Sequence, residues 1–211
     1  FNHIKALRGV DENNASIEES CFGNGVAVTA LQMLDVYATI ANGGVWRQPR
    51  LIAATVDRSG ERHHAPQGRT RRVVSARTAA QLTTMLEGGV SYGTGAMARV
   101  PGYAVAGKTG TARKPLAGGG GYSDAYIASF IGFAPAKDPR VAVAVILDDP
   151  GTAIYGGTVA APAFARIMRA ALRTLRVPPD AVAKDSQASA PTSLVAAPTS
   201  VPPLATWRSQ T

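Results

Sequence analysis

Cysteine is almost missing from this sequence: Cys21 stands alone among 211 residues. One thiol cannot close a disulfide within the chain, so cysteine usage does not fix the redox compartment. Metal-ligand spacing is missing too, since His63 and His64 are adjacent and His3 is remote. No metal and no other cofactor is expected. Long apolar runs are absent: the longest, Val141 to Leu147, falls far short of the roughly 20 residues a membrane span needs. The first residues, Phe1-Asn2-His3-Ile4-Lys5, show neither an initiating Met nor a signal-peptide pattern. They read as a fragment, or as a chain whose targeting information lies upstream. There are no internal repeats. Aromatic residues do not interleave the densest basic cluster, Arg69, Arg71 and Arg72, which reads as part of a loop. Stacking on single-stranded nucleic acid is therefore poorly supported.

What is present suits an ordinary globular domain. The hydrophobic fraction is 45% and the charged fraction 17%, enough for one sizeable core. Lys plus Arg number 22 against 14 Asp plus Glu, a formal charge of +8. Such a balance fits nucleic acid, an anionic membrane surface or an acidic polymer as partner, but also plain solubility in an arginine-rich proteome.

Residues 1–20 are polar and acidic, without useful periodicity, and read as an irregular segment. Gly23-Asn24-Gly25 is a turn signal, and Thr29 is a good N-cap. Ala30, Met33, Leu34, Tyr37, Ile40 and Ala41 then recur on one helical face, which predicts a buried helix stopped by Asn42-Gly43-Gly44. Trp46 to Asp57 predicts a short strand, and Arg58 to Gly68 a turn-rich connection. Ser75 starts a second helix through Ala79, Leu82, Met85 and Leu86, which Gly88-Gly89 is expected to end.

Three strand-like runs follow: Tyr103 to Ala112, Ala125 to Ala134 and Val141 to Leu147. The glycines at 118–121 and the Lys137-Asp138-Pro139 turn make connections too short for a parallel crossover, so an antiparallel meander is expected. A last helix is predicted from about Thr158 to Leu175, with Pro162 in its first turn and Val159, Phe164, Ile167, Met168, Ala171 and Leu172 as its apolar face. From Asp180 onward the chain is Ala, Pro, Ser and Thr, which predicts a disordered tail over 180–211.

The sharpest chemical feature is Gly107-Lys108-Thr109-Gly110-Thr111 on the first strand of the meander. An isolated Lys-Thr-Gly triplet is most often just an edge strand with an exposed lysine. Here a glycine-rich hairpin, two more strands and a helix follow it. With that context the sequence resembles the serine penicillin-recognising enzymes, and specifically the class B penicillin-binding proteins, whose signature joins Lys-Thr-Gly to Ser-x-x-Lys. Further stretches carry the resemblance: residues 25–32 with 37–44, Gly93-Thr94-Gly95 with Ala98, and Phe130-Ile131-Gly132-Phe133-Ala134-Pro135. It covers roughly residues 21–175, and residues 21–179 are expected to be the C-terminal part of a transpeptidase domain.

The resemblance implies an α+β fold, an antiparallel sheet flanked by helices of the β-lactamase/transpeptidase kind, here incomplete. It implies that Lys108 sets a fixed positive charge beside the reacting acyl group. Thr109 and Thr111 would present hydroxyls to a carboxylate, and Gly110 would leave room for substrate to lie along the strand. The Thr111 backbone N–H would supply half of an oxyanion hole. The implied reaction is acyl transfer from a D-Ala-D-Ala peptide stem to a serine and then to an amine. That chemistry crosslinks peptidoglycan on the outer face of the cytoplasmic membrane, with β-lactams as inhibitors and other cell-wall or division proteins as partners.

One departure is plain. No serine in the sequence has lysine three positions on, and no Ser-x-Asn occurs before the matching block. A serine acyltransferase needs both a nucleophile and a base. Thr111-Ala112-Arg113-Lys114 has similar spacing, but residues three apart on a strand face opposite sides. The expectation is a truncated, frame-shifted or split transpeptidase, inactive alone. The alternatives are a non-catalytic binding remnant of the same fold and, on net charge only, a nucleic-acid-binding protein. A β-lactamase shares Lys-Thr-Gly, but the helix block at 25–44 favours the transpeptidase.

Overall fold

A computed structural model describes residues 5–6, 26–116, 121–151 and 153–180. Its centre is an antiparallel sheet of β7 (Ala106–Pro115), β8 (Tyr122–Ala134) and β9 (Val141–Asp148), in the order β7-β8-β9. The meander expected from the short connections is there, with β8 and β9 longer than their apolar runs and β7 starting at Ala106 rather than Tyr103 and running on to Pro115. Leu116 N–H donates to Gly121 O at 3.0 Å and closes the first hairpin.

Strand alternation splits β8 between two cores. Phe130 faces helix α3 (Gly156–Thr174), where its ring meets Phe164 with centroids 4.6 Å apart. Around this pair lie Val145, Ala160, Ala161, Met168 and Leu172, all buried. Phe133 faces the opposite side, among Ala106, Ala136, Tyr37, Ile40 and Leu86. Burying each such aromatic contributes roughly 1.5–3 kcal/mol. The sheet is thus sandwiched between α3 and a layer containing α1 (Ala30–Ala41) and α2 (Ala76–Ser91).

The capping signals in the sequence are realised. Thr29 Oγ1 accepts from Gln32 N–H and the Gln32 side chain accepts from Thr29 N–H, a full capping box on α1. Ser75 Oγ accepts from Thr78 N–H at the start of α2. Gly43 and Gly44 take positive φ after α1.

Other expectations need correction. The apolar face of α1 is only half-buried, and Ala30 is exposed; its buried residues are Asp35 and Thr39. Asp35 accepts from Trp46 Nε1–H, and Thr39 Oγ1 donates to Asp35 O at 2.7 Å. Tyr37 and Ile40 of the expected face do pack against Phe133, but the most buried positions are polar, and the Asp35 carboxylate ties the helix to the following strand. Gly88-Gly89 does not end α2, which runs on to Ser91. A Cβ at Gly88 would lie 2.9 Å from Tyr92 Oη, and one at Gly89 would lie 3.1 Å from Gly107 O. These glycines serve close approach rather than termination. Pro162 sits in the second turn of α3, because the helix begins at Gly156 rather than Thr158. Ile167, assigned to its apolar face, is 50% exposed.

The region between α1 and α2 is more ordered than its composition suggests. Strand β3 (Val45–Arg47) pairs with β6 (Thr70–Arg72), and β4 (Ala54–Val56) with β5 (Arg62–His64), all antiparallel. The single strand expected over 46–57 is therefore two. The arginine cluster at 69–72 is partly strand, with Arg72 Nη1 donating to Gly43 O at 3.0 Å. In the first twenty residues, expected to be irregular, β1 (Lys5–Ala6) pairs with β2 (Val26–Ala27). The tail expected to be disordered lies, beyond Asp180, outside the described residues, as does Cys21. Among the described residues no helix is long and apolar enough to cross a membrane.

Candidate active site

Strand β7 is an edge: among the described residues β8 pairs with one side of it and no strand pairs with the other. Lys108 and Thr111 are exposed there, and Thr109 and Gly110 are half-buried. Alternation puts Lys108 and Gly110 on one face and Thr109 and Thr111 on the other. The lysine nevertheless joins its neighbours by folding across the edge. Lys108 Nζ donates to Thr109 O and to Thr109 Oγ1, each at 3.0 Å.

Two elements converge on this edge. The loop after α2 brings Thr94, whose Oγ1 lies 2.8 Å from Thr109 Oγ1 in a hydroxyl–hydroxyl bond. Helix α3 brings its first N–H: Gly156 N donates to Thr111 Oγ1 at 3.1 Å. Both approaches depend on glycine. A Cβ at Gly156 would lie 2.2 Å from Ser129 O and 2.5 Å from Gly110 O, and one at Gly157 would lie 2.4 Å from Thr94 O. These are backbone atoms, which cannot turn aside. Gly107 likewise lets β7 rest on Phe130, whose ring would be 2.7 Å from a Cβ there. At Gly110 the space of a side chain is already taken by Ser129 Oγ, 2.4 Å from where a Cβ would stand.

The electrostatics of the edge are one-signed. A lysine ammonium, two threonine hydroxyls and the positive end of α3 stand together, an arrangement that favours an anion. Thr111 Oγ1 accepts from the helix, so its own proton is free to be donated outward. Thr109 Oγ1 accepts from Lys108, which likewise leaves its proton for Thr94 or for an incoming acceptor. Thr94 was not singled out in the sequence as a site residue, although its Gly93-Thr94-Gly95 turn was. A threonine in a glycine turn carries no chemical signal until the fold sets it beside Thr109. Arg99 holds that turn in place, donating to the carbonyls of Val90 and Ser91 at the end of α2.

Other polar and charged side chains stand apart from this edge. Lys114 Nζ is 2.8 Å from Asp148 Oδ2, so it is not paired with Thr111. Asp124 is exposed and 3.6 Å from Arg113 Nη2, and Ser123 Oγ donates to Lys114 O at 3.0 Å. Asp57, Glu61 and His63 place three donor atoms within 4.8 Å of one another, all exposed. Asp57 is engaged in its own turn, where hydrogen bonds from the Ser59 hydroxyl, His63 and the Glu61 N–H lower its pKa to about 2.

Comparison with known proteins agrees with the geometry. Residues 5–169 match the penicillin binding protein transpeptidase domain. Stage V sporulation protein D of Bacillus subtilis is 41% identical over 164 residues, covering 76% of this chain and 25% of that protein. The peptidoglycan D,D-transpeptidase FtsI of Escherichia coli is 40% identical over 162 residues, 76% of this chain and 26% of its own length. Among solved structures, penicillin-binding protein 3 of Mycobacterium tuberculosis in complex with ampicillin is similar with a TM-score of 0.69 and 41% identity. The match covers 75% of this chain and 37% of that one. The same protein with aztreonam gives 0.68. The chain thus spans about a quarter of the length of the curated relatives it matches.

Proposed function

Because the chain belongs to the penicillin-binding protein transpeptidase family, we propose that it forms the Lys-Thr-Gly wall of a peptidoglycan D,D-transpeptidase acting outside the cytoplasm. The observation that carries this reading is the edge of β7, which no strand pairs among the described residues. Lys108 and Thr111 are exposed along it, and α3 presents its N-terminus to Thr111. A peptide stem, or a β-lactam resembling its D-Ala-D-Ala end, would lie against that edge as an added strand. Its carboxylate would accept from the Thr109 and Thr111 hydroxyls, with Lys108 supplying fixed charge beside the reacting carbonyl. The Thr111 N–H would give one half of the oxyanion hole, and loss of such a donor typically costs about 3 kcal/mol in barrier.

The serine that attacks is not in this sequence, for no Ser-x-x-Lys occurs in it. Acylation therefore requires a nucleophile and base contributed from outside these 211 residues, and the chain alone is inactive. The β-lactam complexes of the mycobacterial relative support β-lactams as ligands of the assembled site. A non-catalytic role, in which the same edge binds a peptide carboxylate without chemistry, is the second reading; the missing nucleophile favours it for the chain in isolation.

A fluorescent penicillin tests both. The chain alone should take no covalent label, whereas the chain assembled with a segment bearing Ser-x-x-Lys should be labelled on that serine. Label on any serine of this chain overturns the assignment.

A further inference from the structure

Between α1 and α2 the two small ribbons, β3 with β6 and β4 with β5, border a cavity of about 730 Å³. Arg47 from β3, Arg50 from the loop after it, and Arg62 and His64 from β5 line this cavity, together with Gln48 and Gln67. No carboxylate is among the lining residues. Nor does any ion pair among the described residues involve these arginines. Arg50 has one long bond, 3.5 Å to the Pro66 carbonyl. Asp57, the nearby acid that could neutralise them, is turned to Ser59, Glu61 N–H and His63 instead.

Arginine stays charged at any physiological pH, so three exposed guanidiniums lining one cavity make a positive surface that favours an anion. The type of anion follows from their placement. A planar carboxylate is satisfied by a single guanidinium fork. A tetrahedral phosphate offers oxygens to forks arriving from different elements, as these do. The volume is that of a small-molecule site. Its neutral polar members, the Gln48 and Gln67 amides, suit hydroxyl groups. No Phe, Tyr or Trp lines it, and its one aromatic ring, the His64 imidazole, gives a nucleobase a far smaller platform than the stacked aromatics of a single-strand site.

We propose that this cavity binds a phosphate-bearing polyol or sugar chain, a polyanion without bases, gripped by Arg47, Arg50 and Arg62. The exposed Leu51 and Ile52 beside Arg50 make an anionic bilayer the competing occupant that the test must separate.

Inorganic polyphosphate, titrated at physiological salt into the chain within a domain completed with a Ser-x-x-Lys segment and followed by fluorescence anisotropy, is the direct probe. Combined Arg47→Ala, Arg50→Ala and Arg62→Ala should weaken binding at least about tenfold, since each lost fork removes a charge-assisted pair. Removing the same charge from the exposed face of α3, with Arg166→Ala, Arg169→Ala and Arg173→Ala, should change it less than about threefold. Circular dichroism of each variant separates loss of fold from loss of arginine. The three Arg→Lys changes keep charge and bulk, and should still weaken binding severalfold because the forks are gone. Equal loss from both alanine variants, or no loss from either, overturns the site. So does undiminished binding by the lysine variant. Equal affinity for polyglutamate or single-stranded DNA overturns the assigned chemistry, as does tighter binding to phosphatidylglycerol vesicles.

Discussion

Gly156 concentrates several demands in one residue. Its N–H is the link between α3 and Thr111, and its missing Cβ lets the helix end stand against Ser129 O and Gly110 O. A methyl group there meets two carbonyl oxygens at 2.2 and 2.5 Å, so the helix itself must move. Gly156→Ala is expected to destabilise the fold by about 1–3 kcal/mol, the usual cost of forcing a methyl into a closed contact. It should also uncouple Thr111 from the helix. In a domain completed with a Ser-x-x-Lys segment, chemical denaturation reads the first effect, and the amide shift of residue 156 reads the second. Ala at Gly151, where the added Cβ meets nothing, serves as the comparison, since only its φ of 81° resists substitution.

At the scale of elements, legibility followed chemistry that repeats. Thr29 and Ser75 marked the starts of α1 and α2, and the two short turns of the meander fixed its antiparallel order, because capping and chain reach are local facts; α3, with no side-chain cap, starts two residues before its expected Thr158. What stayed hidden depended on partners distant in sequence. The most buried positions of α1 are polar, Asp35 with Thr39, beside the half-buried Tyr37 and Ile40, and Trp46 on β3 gives the carboxylate its reason. Gly88 and Gly89 look like a helix stop until Gly107 and Tyr92 are seen beside them. The Lys108 strand was readable as a motif, whereas Thr94 became part of its surroundings only through the fold. The α1–β3 link is testable by a double-mutant cycle. Asp35→Ala and Trp46→Phe, singly and together in a domain completed with a Ser-x-x-Lys segment, should show a coupling of about 1 kcal/mol, as for one hydrogen bond within the fold. Strict additivity would mean that the bond contributes nothing.

For the whole molecule, the side opposite α3 is poorly covered. Leu31 and Val36 on α1 are 55% and 53% exposed, and Met85 on α2 is 70% exposed. Tyr92 and Met97, near the Thr94 turn, are also exposed. Exposed apolar residues gathered on two adjoining helices and the turn beside them signal a contact surface. The chain by itself is accordingly expected to aggregate or to melt over a broad range with weak cooperativity, as read by calorimetry. A sharp, reversible transition would show that α1 and α2 need no cover.

The central claim concerns the β7 edge, and one rate reports on it. In a domain completed with its Ser-x-x-Lys segment, the second-order rate constant for acylation by fluorescent penicillin is compared between the parent and Lys108→Ala. The proposed role of Lys108, a fixed charge beside the reacting carbonyl, predicts a fall of about 100-fold or more, with the melting temperature unchanged because Lys108 is exposed. An acylation rate equal to that of the parent would contradict the account.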